Sequence, residues 1–260
     1  MLPVLVSVGP LRVYSYGILL ALAFAACWAV ARTHLRRAGL SGTLAVDLIL
    51  AAAAGGLIGA RVLYVVTQWQ AFAEHPLWVF QLQRGGMVFY GGLIGGTVAV
   101  CVLTLYRRLP FPVIADVAAL AVPLGSAIGR VGCFMNGCCA GGPTGAWYGV
   151  LFPGGATSVV PVQLLDSGAN LAMFAVLTYV AVRRKPRAGT LWWAFLTAYP
   201  AWRFAIEFVR VNPPVLWGLS QAQFISIPLF VAGVVGLVVW SRRRPAPDPS
   251  LSASHEGEAA

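Results

Sequence analysis

Seven runs of mostly apolar residues fill this chain, near 13–31, 44–66, 88–106, 112–129, 162–182, 189–209 and 223–240. About 20 such residues make a helix long enough to cross a bilayer. In lipid a lone segment must satisfy its own backbone polar groups, so each run is predicted to be a helix. The chain therefore reads as an all-α polytopic integral membrane protein with about seven transmembrane helices. Composition agrees: 59% of the residues are hydrophobic and only 10% charged, against about 25% charged in soluble domains. The net charge of +10 is not a nucleic-acid footprint. Its basic residues alternate with apolar runs and form no basic face, so no nucleic-acid partner is expected.

Those basic residues give the orientation. Arg32, Arg36, Arg37, Arg107, Arg108, Arg183, Arg184, Lys185, Arg187, Arg242, Arg243 and Arg244 follow alternate runs and fall on one side. Arg12, Arg84, Arg130 and Arg210 fall on the other, and Arg61 and Arg203 lie within runs. Lysine and arginine concentrate on the cytoplasmic side, which places the N-terminus outside and the C-terminus in the cytoplasm. Residues 1–241 are read as one transmembrane domain. Residues 242–260, basic and then rich in proline and small polar residues, are read as a disordered cytoplasmic tail. A multi-pass protein of a bacterial cytoplasmic membrane is the expected setting.

The outer-side arginines have no topological explanation. An arginine at a helix centre costs roughly 2.5–3.5 kcal/mol on insertion scales. Arg203, Glu207 and Arg210 are spaced to share one helical stripe. Glu74 and Asp166 are the other carboxylates near that level, too few to neutralise Arg61, Arg84 and Arg130 as well. The surplus of positive charge at membrane depth has a natural complement in an anionic lipid phosphate. Tyr14, Tyr16, Tyr90, Gln163 and Asp166 fall at the same level. Tyr90 precedes Gly91-Gly92, so its ring is expected in a crowded interior, its hydroxyl partnered. Asp47 and Asp116 open their runs at the other end and read as helix caps.

Two small-residue runs, 51–59 and 91–96, permit close helix packing or approach of backbone to a headgroup. The densest polar signal is Gly129-Arg130-Val131-Gly132-Cys133-Phe134-Met135-Asn136-Gly137-Cys138-Cys139-Ala140-Gly141. Its glycines let backbone N–H groups approach an anion that Arg130 can bind bidentately. Cys-x4-Cys-Cys is a poor zinc pattern, with no histidine nearby and no second cysteine pair. No metal or cofactor is expected, and the cysteines are left between packing and thiol chemistry.

At these residues the chain resembles the prolipoprotein diacylglyceryl transferase family. The match runs from Ser15-Tyr16-Gly17 to the segment 223–228. It is strongest at Gly129-Arg130-Val131-Gly132 with Phe134 and Asn136-Gly137. It is supported by Gly85-Gly86-Met87, Phe89-Tyr90-Gly91-Gly92, Pro161 with Gln163, and Arg203-Phe204 with Ile206-Glu207-Phe208 and Arg210. The resemblance implies transfer of the diacylglyceryl group of phosphatidylglycerol to the lipobox cysteine of a preprolipoprotein, with glycerol phosphate leaving. It implies Arg130, Arg203 and the position of Tyr90 as catalytic. Tyr16, Arg61, Asn136, Gly141, Gln163, Glu207 and Arg210 are the substrate-binding candidates. Tyr90 stands where the family pattern has a histidine proposed to activate the thiol, Cys133 where it has asparagine, Cys138 where it has an acidic residue, and Val160 where it has histidine. Tyrosine, with an ordinary pKa of about 10, is a poor base at neutral pH. A relative that binds or modifies anionic phospholipid, or uses Cys133, Cys138 and Cys139 for thiol chemistry, is the alternative.

Overall fold

Each of the seven apolar runs folds as a helix in the computed structural model, which describes residues 4–8, 11–81 and 85–242. Arg84 and the tail from residue 243 lie outside the described residues. A short antiparallel hairpin, β1 (Val4–Val8) and β2 (Leu11–Tyr14), leads into α1 (Ser15–Arg37) and α2 (Leu44–Thr67). A short α3 (Trp69–Glu74) and a 3-10 turn (Pro76–Phe80) precede α4 (Phe89–Tyr106). Then come α5 (Phe111–Met135), α6 (Val162–Arg183), α7 (Thr190–Ile206) and α8 (Gln221–Arg242). Among the described residues, α1, α2, α4, α5, α6 and α8 are long and apolar enough to cross a membrane. The remaining run is divided: α7 has 17 residues, and a 3-10 turn (Glu207–Val209) completes it. At 1.5 Å per residue α7 spans about 25 Å, the short end of the spanning range.

Three helices stop in the same way. After α1, Gly39 (φ +78°) lets the Leu40 N–H reach back to the Leu35 carbonyl at 2.9 Å. After α4 the Leu109 N–H reaches Thr104, and after α5 the Cys138 N–H reaches Cys133 at 3.1 Å. These are Schellman ends, which satisfy last-turn carbonyls with a left-handed residue just past the helix. Asp47 pairs with Arg107 at 2.8 Å, across from α2 to the end of α4. Asp116 does not cap its own helix. Its carboxylate accepts from the Gly189 N–H at 2.7 Å and the Trp192 N–H at 2.9 Å, so it caps α7 from α5. Asp116 is thus a cap, as its position predicts, but for α7: α5 opens on Pro110 and Pro112, which leave little need for one.

α5 is the most buried of the spanning helices and joins two cores. Ile114 and Val117 pack with Ala31, Leu35, Leu44, Ala45 and Leu48, while Ala119 and Leu120 pack with Leu177, Leu191 and Phe195. The glycine runs resolve as helix packing. A Cβ on Gly59 would sit 2.3 Å from the Gly91 carbonyl oxygen, and one on Gly95 would sit 2.3 Å from that of Gly55. α2 and α4 thus touch backbone to backbone through paired Gly-x3-Gly faces, with no room for a headgroup between them. Gly95→Leu is expected to pry the pair apart and lower thermal stability by about 1–3 kcal/mol or more, because both neighbours are backbone and cannot repack. Thermal unfolding of the detergent-purified variant measures it.

Candidate active site

Antiparallel connections bring the start of α1, the end of α5, the start of α6 and the end of α7 to one end of the bundle. Asp166, on the second turn of α6, is the hub there. It is buried, its Oδ2 lies 3.1 Å from Arg130 Nε and 3.8 Å from Arg210 Nη1, and its Oδ1 accepts from Trp202 Nε1 at 2.8 Å. Glu207 is the second hub. It is also buried, pairs with Arg203, lies 3.7 Å from Arg210 Nε, and accepts from Ser220 Oγ at 2.7 Å and from Asn212 Nδ2. Three guanidiniums therefore share two carboxylates, which leaves one net positive charge. Arg210 Nη1 is buried and has no hydrogen-bond acceptor among the described residues. Arg130 and Arg203 keep 23% and 19% of their side-chain surface open, so an anion can reach them.

The predicted stripe of Arg203, Glu207 and Arg210 meets, though not on one helix face. α7 ends at Ile206, and Arg210 follows the 3-10 turn in extended backbone, paired antiparallel with Gly141. A Cβ on Gly141 would stand 2.6 Å from the Val209 carbonyl oxygen and from Val162 Cγ2. Gly141 thus lets the segment bearing Arg210 lie against the loop after α5. Gln163 is fully buried and donates from Nε2 to the Cys138 carbonyl at 2.7 Å, which ties that loop to α6. Tyr16 packs its ring against Gly132 and lies within electrostatic reach of Arg130 and the three cysteines. Asn136 is the exposed C-cap of α5, one turn beyond Gly132.

Two expectations are corrected. Arg61 is buried, and its guanidinium donates to the carbonyls of Trp78, Val79, Gln81, Gly85 and Gly86, with the rings of Tyr64 and Phe72 alongside. Its donors are consumed in fastening the α2–α4 connection, which leaves none for a substrate phosphate. The Tyr90 ring is not in a crowded interior. It is 37% exposed on the first turn of α4, with Phe89 edge-on to it, because Gly91 turns inward to meet Gly59. No ion pair or hydrogen bond joins Tyr90 or Arg61 to the arginine cluster among the described residues. Sequence reasoning missed Asp166 as the organising carboxylate, along with Trp202, Asn212 and Ser220. Position on three different elements hid them; a polar side chain at the membrane-depth end of an apolar run was the available signal.

Cys133, Cys138 and Cys139 converge beside this cluster, with their three Sγ atoms within 4.8 Å of one another. Burial, and then the adjacent Cys138 thiol, push the Cys139 thiol up, against the pull of Arg130 and Arg210. Cys139 is accordingly a thiol at neutral pH and a weak nucleophile by itself.

Residues 3–239 match the family model described as prolipoprotein diacylglyceryl transferase. Among curated relatives, one from Chromohalobacter salexigens is 35% identical over 97% of each chain. One from Geobacter sulfurreducens is 34% identical over 94% of this chain and 97% of its own, and one from Bordetella parapertussis is 36% identical with the same coverage. All three are named phosphatidylglycerol–prolipoprotein diacylglyceryl transferase.

Proposed function

This chain belongs to the prolipoprotein diacylglyceryl transferase family, and from that premise we propose how its charge cluster works in the transfer of the diacylglyceryl group of phosphatidylglycerol to the cysteine thiol of a prolipoprotein. In that reaction the acceptor sulfur attacks the glyceryl carbon that bears the phosphodiester. A C–S thioether bond forms as the C–O bond breaks, and glycerol phosphate departs with the electron pair. Negative charge therefore grows on the phosphate side in the transition state. The observation that carries the reading is three guanidiniums held by two carboxylates, with Arg130 and Arg203 partly open. Positive charge fixed in place before reaction, in a water-poor setting, is often the largest catalytic contribution.

In this reading Arg130 and Arg203 grip the phosphate. Glu207 and Arg210 hold Arg203 and Asp166 in register. Gly141 and Gln163 shape the loop between them, and Tyr16 and Asn136 line the approach. The excess of basic residues at the opposite end supports a site on the outer face of the bacterial cytoplasmic membrane, with seven crossings, the N-terminus outside and residues 242–260 a cytoplasmic tail. The test is a reconstituted assay with phosphatidylglycerol vesicles and a lipobox peptide, followed by mass analysis of the peptide. Gain of a diacylglyceryl thioether supports the reading. An unmodified peptide, beside a working control enzyme, overturns it.

Tyr90 enters as a residue at the lipid-facing entrance and not as a base. Tyr90→Phe is expected to lower activity no more than about threefold, because among the described residues the hydroxyl has no hydrogen-bond partner to lose. Tyr90→His is expected to leave the pH profile unchanged, since no ion pair or hydrogen bond joins this position to the arginine cluster among the described residues. A rise in rate that tracks imidazole titration near pH 6.5 in Tyr90→His would instead restore a base to this position. Rates across pH for the three proteins in the same vesicles decide it.

A further inference from the structure

We propose that Cys133, Cys138 and Cys139 form a three-thiolate zinc site whose fourth position takes the thiol of the acceptor cysteine. The metal site stands on the geometry of this chain; the identity of the fourth ligand rests on the transferase reading.

The convergence has a local cause. The Schellman end of α5 folds the Cys138 N–H back onto the Cys133 carbonyl, with Gly137 at φ +75° as the left-handed residue. That turn stacks position 138 over position 133. Cys139 then adopts φ +64°, a conformation that costs a non-glycine residue free energy and persists only where its surroundings enforce it. The result points three sulfurs to one place, within 4.8 Å of one another. A tetrahedral zinc ion with Zn–S bonds of about 2.3 Å needs its sulfurs roughly 3.8 Å apart, a contraction of roughly 1 Å at most. Rotation of the side chains supplies that. Gln163 steadies the carbonyl of Cys138 from α6, so the loop is already braced.

The donor set selects the ion. Three sulfurs and no carboxylate or imidazole in the cluster favour a thiophilic metal over magnesium or calcium. Three protein ligands with one position left is the composition of a catalytic zinc site, where structural sites are closed by four. The spacing argument against zinc asked for a second cysteine pair, which an open site does not need. Cys139 is exposed and the other two half-buried, so the site is reachable from outside the bundle. Cys133 sits one turn from Arg130 on the same face of α5. A thiol bound there lies next to the proposed phosphate clamp.

Coordination would release one proton from each protein thiol and one from the acceptor thiol to solvent, and zinc would change no oxidation state. The acceptor would then be held as a thiolate, since a coordinating thiol is deprotonated outright. Its sulfur leaves the metal as the thioether forms and the glycerol phosphate departs. This route needs no protein base, which fits the tyrosine at position 90.

The full chain, purified in detergent under reducing conditions and loaded with Zn2+ or Co2+, tests both halves. About one metal per chain after desalting is expected, with thiolate-to-cobalt charge-transfer absorption. Both are expected to vanish in Cys133→Ser and in Cys138→Ser and to persist in Cys101→Ser, with circular dichroism checking the fold of each. A lipobox peptide should shift the cobalt spectrum, and the same peptide with serine for cysteine should not. No retained metal, equal retention in both serine variants, or a disulfide among the three in protein taken directly from membranes overturns the site. An unmoved spectrum with peptide overturns the fourth ligand. Transfer activity without bound metal sinks the inference and spares the transferase. Bound metal without transfer keeps the metal site and overturns the transferase reading, and the fourth ligand with it.

Discussion

Arg130→Ala and Arg203→Ala are each expected to cut transfer from phosphatidylglycerol by about 10- to 100-fold or more while the protein stays folded. A charge-assisted hydrogen bond is worth roughly 1.5–3 kcal/mol, and 1.36 kcal/mol is a factor of ten in rate. The fold survives because neither carboxylate is stranded. Without Arg203, Glu207 keeps Ser220, Asn212 and the nearby Arg210. Without Arg130, Asp166 keeps Trp202 and Arg210. Arg203→Lys is expected to be impaired as well, because an ammonium cannot hold Glu207 and a phosphate with one planar fork. Vesicle assays of the three variants, with thermal unfolding as the control, measure this. Wild-type rates in both alanine variants would end the phosphate-clamp reading.

The fold was legible where a single helix carries the information. Seven apolar runs became seven helices, because in lipid an isolated segment has no other way to pair its backbone. The glycine faces at Gly55, Gly59, Gly91 and Gly95 were legible as packing once two runs shared a four-residue spacing. Pairings between helices were not legible. Asp116 reads as a cap for α5 and caps α7 instead, because proximity in space, not in sequence, chose its partner. Arg61 reads as surplus charge, yet five carbonyls of the connection that follows α2 absorb it. Carbonyl direction in an irregular segment has no sequence signature. The same limit hid the site's hub. Arg130, Arg203 and Arg210 stand out as costly charges, whereas Asp166 looks like a lone acid on α6 until Arg130, Trp202 and Arg210 arrive from other elements. The convergence of the three cysteines was hidden for the same reason: a Schellman turn brings residues five apart together.

Asp166→Ala is expected to be the most damaging single substitution in the cluster. Asp166 is 3% exposed and partners two guanidiniums and an indole N–H. Removing it leaves buried positive charge uncompensated, which costs about 3–5 kcal/mol in comparable buried pairs. It also frees Trp202 Nε1 beside an apolar core. Asp166→Asn separates the two losses. The amide oxygen still accepts from Trp202 Nε1, so most of the packing survives, and the cluster's net charge rises from one to two. Attraction for an anionic headgroup then grows while Arg130 loses the contact that aims it. The expected signature in Asp166→Asn is a kcat lowered by about tenfold or more with KM for phosphatidylglycerol unchanged or lower, since binding energy that does not favour the transition state leaves kcat unimproved. Thermal unfolding should rank wild type above Asp166→Asn and Asp166→Ala last. Should KM rise in Asp166→Asn while kcat holds, the cluster would be orienting something other than a phosphate, because added positive charge does not weaken an anion's binding.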